Sequence, residues 1–303
     1  MKISKVLISF VSVVVIITGA AYWYVFVLGA PQLDPPQEKA EDTGLKFQLE
    51  TFNSQAMGTI RNYGVILPPN YNKKSHKRYP VILLLHGGHD DARAYVNKYA
   101  ILDVLQKLYN SNKLPPSIVI TPDGNDSRGS SPLYDPDYFD GPNGKIGTLI
   151  GSELVQVVKS RYRTLEKPQF WALGGLSSGG WGAFNIGLRY LNNFHILFSH
   201  SGYFTDDSSP QNSPQKIVQK LSVPERHRLR VYLDAGKGDA DLLASTKTFH
   251  ETLNKLGIKN VFYAFPGGHG LSGPDVGWNY FHKHLKDSLS YVGEQFKNGM
   301  GNG

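Results

Sequence analysis

One glycine-flanked serine lies in a setting suited to nucleophilic chemistry. The sequence Gly175-Leu176-Ser177-Ser178-Gly179 follows an apolar run at 170–173 and precedes a helical pattern at 181–190. Such a strand-turn-helix context strains the central serine, and glycines two positions before and after it leave room for the turn. Centring the motif on Ser178 would put Leu176 where a glycine is needed. We therefore predict that Ser177 is a nucleophile; the alternative is a glycine-rich turn with an incidental serine.

A serine hydroxyl is a weak nucleophile until a base accepts its proton. Among the ten histidines, His269 is the one that comes directly after a late strand, which the pattern predicts at 260–265. Glycines on both sides of His269 leave its ring free to turn towards the serine. We predict that His269 is the general base.

The base needs an acid that fixes its tautomer, and three aspartates compete for that role. Asp239 lies in a flexible turn just after a strand-like stretch, whereas Asp234 would lie within or at the end of that strand and Asp241 would begin the next helix. In proteins with this kind of elbow, the nucleophilic serine comes first along the chain, the acid second and the histidine base third. Ser177, Asp239 and His269 follow that order. We predict that Asp239 completes a triad with Ser177 and His269; a helix cap is the alternative role of Asp239.

An oxyanion forms when a serine attacks a carbonyl carbon, and two backbone N–H groups must stabilise it. One comes from the residue after the nucleophile, Ser178, and the other from the loop after the apolar strand at 81–85, where Gly88 allows a close approach. His86, His89 and Asp90 would suit a metal ion by residue type, but nothing else supplies a coordination geometry, so no metal site is predicted. The side chains that we expect to contact a substrate are His86, His89, Tyr134, Trp181 and Tyr203.

Strand-like and helix-like stretches alternate throughout the chain after residue 80. Apolar runs such as 81–85 are typical of parallel strands buried on both faces. We predict a mostly parallel, doubly wound sheet with helices on both faces and the ligand site at the carboxyl ends of its strands. The segments 45–52 and 58–67 favour an edge hairpin, and helices are expected at about 95–109 and 278–291.

The composition excludes several classes of protein. The 303 residues include no cysteine, which excludes disulfides, thiol catalysis and cysteine-ligated metals. The formal net charge is +7, but lysines and arginines are scattered without interleaved aromatic residues, so nucleic-acid binding is not expected. No cofactor is predicted, and the oligomeric state is left open.

The segment 6–28 carries no charge. As a helix it would span about 34 Å, enough for a hydrocarbon core of about 30 Å. Lys2 and Lys5 precede it and aromatic residues at 22–24 lie near its end, so we predict a single-pass membrane protein with a cytoplasmic N-terminus and an extracytoplasmic catalytic domain. A cleaved signal peptide, which would give a secreted protein, is the alternative. The predicted boundaries are an anchor at 1–30, a linker at 31–44, a catalytic domain at 45–297 and a disordered tail at 298–303.

The chain resembles the putative-esterase family of α/β-hydrolases, which contains feruloyl esterases, S-formylglutathione hydrolases, enterochelin esterases and mycobacterial mycolyltransferases. The resemblance covers about residues 50–290 and rests on the segments 81–88, 147–164, 174–180, 201–202, 236–239 and 266–269, with Trp278 after them. It implies an α/β-hydrolase fold, the triad Ser177, Asp239 and His269, and oxyanion donors at Gly88 and Ser178. The cysteine pair that S-formylglutathione hydrolases often carry has no counterpart here.

Together these features predict a membrane-anchored, extracytoplasmic serine esterase that acts on a small-molecule, glycan or lipid ester. The same residues would transfer an acyl group to a sugar or an envelope glycolipid if water were excluded, so an acyltransferase is one alternative. A catalytically silent surface binding module is another. The acyl group and the alcohol are not predicted, because the loops 125–147 and 203–215 shape the pocket and no sequence rule interprets them.

Overall fold

The computed structural model describes residues 2–34, 44–71, 76–131, 133–206 and 209–301. The strands are β1 (Phe47–Ser54), β2 (Thr59–Ile66), β3 (Val81–Leu85), β4 (Ile118–Pro122), β5 (Asp140–Gly141), β6 (Gly144–Lys145), β7 (Trp171–Leu176), β8 (Ile196–His200), β9 (Arg230–Gly236) and β10 (Lys259–Phe265). Eight of them form one sheet in the order β1-β2-β4-β3-β7-β8-β9-β10, and β5 pairs with β6. The pairs β1–β2 and β2–β4 are antiparallel, and the remaining neighbours in the large sheet are parallel.

The centre of the sheet is apolar on both faces. Every residue of β3, β4, β7 and β8 is buried. A continuous run such as Val81–Leu85 forms such a strand because helices cover both faces of a parallel sheet, so neither face needs polar side chains. The predicted doubly wound sheet is confirmed, and its strand order is that of an α/β-hydrolase.

Ten α-helices accompany the sheet in the described part of the chain. They are α1 (Lys2–Tyr22), α2 (Ala94–Asn97), α3 (Ile101–Asn110), α4 (Ile146–Thr148), α5 (Val155–Arg161), α6 (Ser178–Gly187), α7 (Pro214–Ile217), α8 (Val223–Arg228), α9 (Ala240–Lys255) and α10 (Trp278–Gly301). Short π-helical segments extend α1 through Trp23–Val27 and join α4 to α5 through Leu149–Leu154. The single helix predicted at 95–109 is instead two, because Ala100 between α2 and α3 adopts a left-handed φ of 46°.

The side chains of β8 show that helices lie on opposite faces of the sheet. A β-carbon on Gly187 of α6 would meet Leu197, and one on Gly180 would meet Ser199. On the alternate face of the same strand, His200 contacts Ser288 of α10. Because successive strand residues point to opposite faces, α6 and α10 cover opposite sides of the sheet.

The last helix is longer than predicted and continues to Gly301 instead of ending near residue 291. Val292 and Phe296 are fully buried, and the carbonyl of Gly299 accepts a hydrogen bond from the Gln169 side chain at 3.3 Å. This packing keeps the helix in place, so the disordered tail predicted at 298–303 is wrong for residues 298–301. Residues 302 and 303 lie outside the described residues.

The N-terminal helix is the one described helix that is long and apolar enough to cross a membrane, over Ser9–Val27, and none of that segment is buried. The predicted linker at 31–44 begins differently from expectation. Gln32 is buried against the domain that contains the sheet and bonds to backbone groups of Val276 and Trp278. Residues 31–34 are therefore bound to the domain, and the linker prediction for 35–43 lies outside the described residues.

Candidate active site

Ser177 lies between the last residue of β7 and the first residue of α6, with φ 55° and ψ −127°. A positive φ strains a residue that carries a β-carbon, and this strain at a strand-to-helix turn is characteristic of a nucleophile elbow. The turn is tight: a β-carbon on Gly175 would lie 2.4 Å from the carbonyl oxygen of Gly179, and one on Gly179 would lie 2.3 Å from that of Leu85. Both flanking positions therefore require glycine.

The two neighbouring serines differ in accessibility. Ser177 is half-buried, whereas Ser178 is fully buried and its Oγ has no hydrogen-bond partner among the described residues. The N–H of Ser177 donates to the carbonyl of His200 at 2.9 Å, and its own carbonyl accepts from the N–H of Gly180 at 2.9 Å. The elbow backbone is thus fixed on both sides, and Ser177 is the serine with access to the surface.

Asp239 and His269 meet at the carboxyl ends of β9 and β10. The Nδ1 of His269 lies 2.8 Å from Oδ2 of Asp239, and the backbone N–H of His269 donates to Oδ1 of the same carboxylate at 2.8 Å. The carboxylate is nearly buried, with 8% of its side chain exposed, while 37% of the histidine side chain is exposed. This geometry orients the imidazole and leaves its Nε2 edge available for proton transfer.

We call residues 266–277, which include His269, the histidine loop. Backbone contacts hold the turn that carries Asp239 against this loop. The N–H of Gly238 donates to the carbonyl of Gly267 at 2.7 Å. Gly268 has φ 144°, and a β-carbon there would lie 2.5 Å from Cγ of Asp239, so the close approach of the carboxylate requires glycine. Burial raises the pKa of Asp239, but hydrogen bonds from His269 and its positive charge outweigh burial, so the pKa lies below its ordinary value.

The loop after β3 runs along the elbow. A β-carbon on Gly87 would lie 3.4 Å from Cβ of Ser177, and the backbone N–H of Gly88 makes no hydrogen bond to another described residue. Ser178 is the first residue of α6, so its N–H belongs to the first-turn donors that have no partner within the helix. Both predicted oxyanion donors are thus unused and lie in segments that flank Ser177.

The two histidines of this loop have different surroundings. His86 is fully buried, its Nε2 accepts from the N–H of Gly124 at 3.0 Å, and its Nδ1 therefore carries the hydrogen that points to the carbonyl of Gly87 at 2.8 Å. It supports two loops beneath the site instead of facing a substrate as predicted. His89 is exposed, has φ 63°, and contacts the carbonyl of Ser131.

No group of three histidine, aspartate or glutamate side chains in the described ranges is arranged to hold a metal ion. The third member of the cluster considered above, Asp90, is bonded by Tyr99 at 3.1 Å and by the ammonium of Lys98. The alternative of a metal centre on this loop therefore gains no support from the geometry.

Aromatic side chains pack on one another near the elbow, and Trp181, which was predicted to contact a substrate, is buried among them while Tyr203 is half-buried. The ring of Trp181, in the first turn of α6, stacks on Tyr203 with centroids 5.4 Å apart, and the edge of Phe139 packs on it at 6.0 Å. Trp181 is fixed by a hydrogen bond from its indole N–H to the carbonyl of Asn212 at 3.1 Å. Burial, and then the charge of Asp135, raise the pKa of Tyr203. Phe139 was not predicted, because its contact with Trp181 depends on how the loop 125–147 folds back.

Tyr134 and Asp135 occupy that same loop in different ways. The hydroxyl of Tyr134 donates to the carbonyl of Arg128 at 2.9 Å, and the Arg128 guanidinium lies 4.3 Å above its ring, so Tyr134 is held within its own loop. Asp135 is a residue that sequence reasoning missed: a β-carbon on Gly88 would lie 2.3 Å from its Oδ1. Burial raises the pKa of Asp135 and the charges of His89 and His269 lower it; burial has the larger effect, so the pKa lies above its ordinary value.

A second serine-histidine-aspartate group lies beneath the elbow, fully buried. Nδ1 of His200 is 2.6 Å from Oδ2 of Asp234, Nε2 of His200 is 2.8 Å from Oγ of Ser288, and Tyr280 donates to Oδ1 of Asp234 at 2.9 Å. Since none of these side chains reaches the surface, the group cannot meet a substrate. It joins β8, β9 and α10, and it explains why Asp234, rejected above as the acid, points away from His269.

Ser288→Ala should destabilise the protein by about 1–3 kcal/mol, because His200 would keep a buried nitrogen without a partner. This corresponds to a fall of about 2–10 °C in the melting temperature of a domain of this size. Ser290→Ala is the matched control, since that half-buried hydroxyl bonds only to the Lys286 carbonyl of its own helix. Equal melting temperatures of the two variants would show that the buried group contributes nothing to stability.

Comparison with known proteins places these residues in a family. The family model described as "Putative esterase" matches residues 54–291. An esterase of Mycobacterium tuberculosis H37Rv is 26% identical over 258 residues, which cover 72% of this chain and 54% of that protein. The chain thus spans about half the length of this relative. An acetyl esterase of Caldicellulosiruptor saccharolyticus is 23% identical over 176 residues, covering 48% of this chain and 63% of that protein.

A solved structure of a ferulic acid esterase superposes with a TM-score of 0.72 and 25% identity. The match covers 83% of this chain and 99% of that one. The architecture of this chain is therefore shared with that enzyme over most of its length.

Proposed function

The chain belongs to the putative-esterase family, and on that premise we propose that it is a serine esterase that hydrolyses carboxylic esters with Ser177, Asp239 and His269 as its triad. The observation that carries the proposal is the two-point contact between Asp239 and His269, in a chain whose Ser177 has the positive φ of a nucleophile elbow. The relatives named as esterases and the ferulic acid esterase structure support the same activity.

The reaction follows from the positions of these groups. Nε2 of His269 takes the hydroxyl proton while Oγ of Ser177 attacks the ester carbonyl carbon, and Asp239 stabilises the resulting imidazolium. The N–H groups of Gly88 and Ser178 stabilise the tetrahedral oxyanion. Collapse of this intermediate breaks the bond to the alcohol oxygen, which receives the proton from His269. A water molecule then repeats the sequence on the acyl-enzyme, releasing the acid and regenerating Ser177.

The proposal can be tested by assaying the whole chain in detergent with a panel of p-nitrophenyl esters and with methyl ferulate. Methyl ferulate is included because the solved structure that superposes on this chain is named a ferulic acid esterase. Release of alcohol from at least one ester is the expected result. A protein that binds esters without cleaving any of them would instead be a silent binding module, and product appearing only with added sugar acceptors would identify an acyltransferase.

We further propose that α1 anchors the enzyme in a membrane with the catalytic domain on the outer face. The apolar segment Ser9–Val27 is not buried by any part of the chain that the structure describes. Lys2 and Lys5 lie before this segment, which favours a cytoplasmic N-terminus. The Tyr24 hydroxyl donates to the carbonyl of Pro31, and the next residue, Gln32, is bonded to the domain.

Fractionation of cells that express the full chain should recover it in membranes, and external protease should cleave the domain on intact or spheroplasted cells. The reason is that none of the described residues buries the apolar segment of α1, so we expect this helix to lie in lipid. N-terminal sequencing of the recovered protein completes the measurement. A soluble form that begins near Tyr22 would show that the segment is a cleaved signal peptide.

A further inference from the structure

The histidine loop is rich in residues that give its backbone freedom. Gly267, Gly268, Gly270, Gly273 and Gly277 all have positive φ values. Within the loop, the N–H of Gly268 donates to the carbonyl of Asp275 at 3.1 Å and the N–H of Gly277 donates to the carbonyl of Gly268 at 2.7 Å. Glycines lose the most conformational entropy on ordering, so a loop of this composition needs further contacts to keep one conformation.

Those contacts come from the segment 31–34, which we call the strap. The N–H of Leu33 donates to the carbonyl of Leu271 at 2.7 Å. One oxygen of Asp34 accepts from the N–H of Gly273 at 2.8 Å, and the backbone carbonyl of Asp34 accepts from the Asn279 side chain at 2.8 Å. The hydrogen bond from Gly273 is the main reason that the pKa of Asp34 lies below its ordinary value.

Gln32 makes the most buried contact of the strap, with 6% of its surface exposed. Its Nε2 donates to the carbonyl of Val276 at 3.1 Å and to Oδ1 of Asp34 at 2.9 Å, and its Oε1 accepts from the N–H of Trp278 at 3.1 Å. Trp278 is the first residue of α10, so this bond satisfies a helix N–H that has no partner within the helix. A β-carbon on Gly277 would lie 2.2 Å from Oε1, so the loop is shaped around the Gln32 side chain.

The strap is in turn bonded to the N-terminal helix. The N–H of Ala30 donates to the carbonyl of Tyr24 at 2.9 Å, and the hydroxyl of Tyr24 donates to the carbonyl of Pro31. A continuous series of hydrogen bonds therefore leads from the end of the apolar helix, through the strap, to the loop that carries His269. None of the family-level motifs at 81–269 includes these N-terminal residues.

We propose that Gln32 and Asp34 are positioning residues, which hold the histidine loop so that His269 stays on Asp239, and that they thereby couple the N-terminal helix to turnover. The proposal rests on the proposed function for its effect on catalysis. No hydrogen bond joins the strap to Ser177, and His269 keeps its own bonds to Asp239. Loss of the strap therefore lowers the fraction of molecules with an ordered loop without removing any reacting group.

The test uses three variants of the whole chain in detergent micelles: Gln32→Ala, Asp34→Ala and the double variant that carries both changes. Each is compared with a control variant, Leu33→Ala. Leu33→Ala is the matched control, because its side chain is 68% exposed and the strap uses only its N–H, which alanine retains. The double variant should show a kcat lower by about 10-fold, since it loses several hydrogen bonds to the loop. KM should change little, because no substrate contact is removed. Asp34→Asn should have a higher rate than Asp34→Ala, because an amide oxygen can still accept the hydrogen bond from the N–H of Gly273.

Hydrogen exchange supplies the second measurement, and it does not depend on activity. Amides of 268–279 should exchange faster in the double variant than in Leu33→Ala, while amides of β3 and β7 should stay equally protected. Unchanged exchange in 268–279, or a kcat equal to that of Leu33→Ala, would overturn the proposal. A wild-type chain that cleaves no ester would count against the proposed function alone, since the exchange comparison still decides whether the strap orders the loop.

Discussion

Ser177→Ala should abolish ester hydrolysis and labelling by a fluorophosphonate probe. The hydroxyl of Ser177 is the nucleophile in the proposed reaction, and no other described serine combines the strained elbow geometry with access to the surface. Loss of a nucleophile that acts together with its base typically costs about 10⁶ in kcat, so the residual rate should be near background. Initial rates on the best ester of the panel and gel-based detection of the label provide the measurement.

Ser178→Ala is the control for the register of the motif. Its hydroxyl is buried without a partner, and alanine keeps the N–H that the oxyanion hole requires, so labelling should remain. Equal labelling of the wild type and Ser177→Ala would disprove the nucleophile assignment. Loss of labelling only in Ser178→Ala would move the nucleophile by one residue, against the geometry of the elbow.

Asp239→Asn should lower kcat by about 10⁴ while the protein still folds, as in the serine-protease precedent. An amide cannot stabilise the imidazolium of His269, and its NH2 group can hold the ring in the wrong tautomer. Asp241→Asn should have little effect, because Asp241 lies in the first turn of α9 and its carboxylate is not bonded to His269. Near-normal turnover in Asp239→Asn, with loss in Asp241→Asn, would mean that the acid has been assigned two residues too early.

The same variant has an expected dependence on pH. Because the pKa of Asp239 in the folded protein is below its unfolded value of about 3.9, the ionised carboxylate stabilises the native state above that pH. This contribution is lost as the pH falls through the folded pKa. The difference in unfolding free energy between wild type and Asp239→Asn should therefore shrink as the pH falls below about 4. Denaturant titrations at several pH values measure it.

The sequence was sufficient to predict the fold class and the pairing of Asp239 with His269, because both follow from local patterns. Apolar runs that end in glycine-containing turns indicate where parallel strands stop, and Asp239 and His269 each come directly after such a stop. Asp234 could be set aside for the same reason: it lies inside β9, and the structure places its carboxylate on His200.

Other features could not be predicted, because they depend on contacts between residues far apart in the chain. Nothing in the local pattern around His200 or Ser288 indicates that β8 and α10 will bring them together. The short helices α7 and α8 were not predicted, because they follow a polar loop. The Ser222–Glu225 capping box at the start of α8 is a local signal that could have predicted that helix. The extension of α10 beyond residue 291 depends on burial of Phe296 against the domain.

The strap also limits the distance between the proposed active site and the end of the apolar helix. Only the five residues from Leu28 to Gln32 connect the end of the apolar segment to the bonded edge of the histidine loop. Fully extended, they reach no more than about 18 Å. With α1 across a bilayer, an ester attached to the same surface would encounter the enzyme at a high effective concentration, whereas a polymer-bound ester farther out would stay beyond its reach whatever its chemistry.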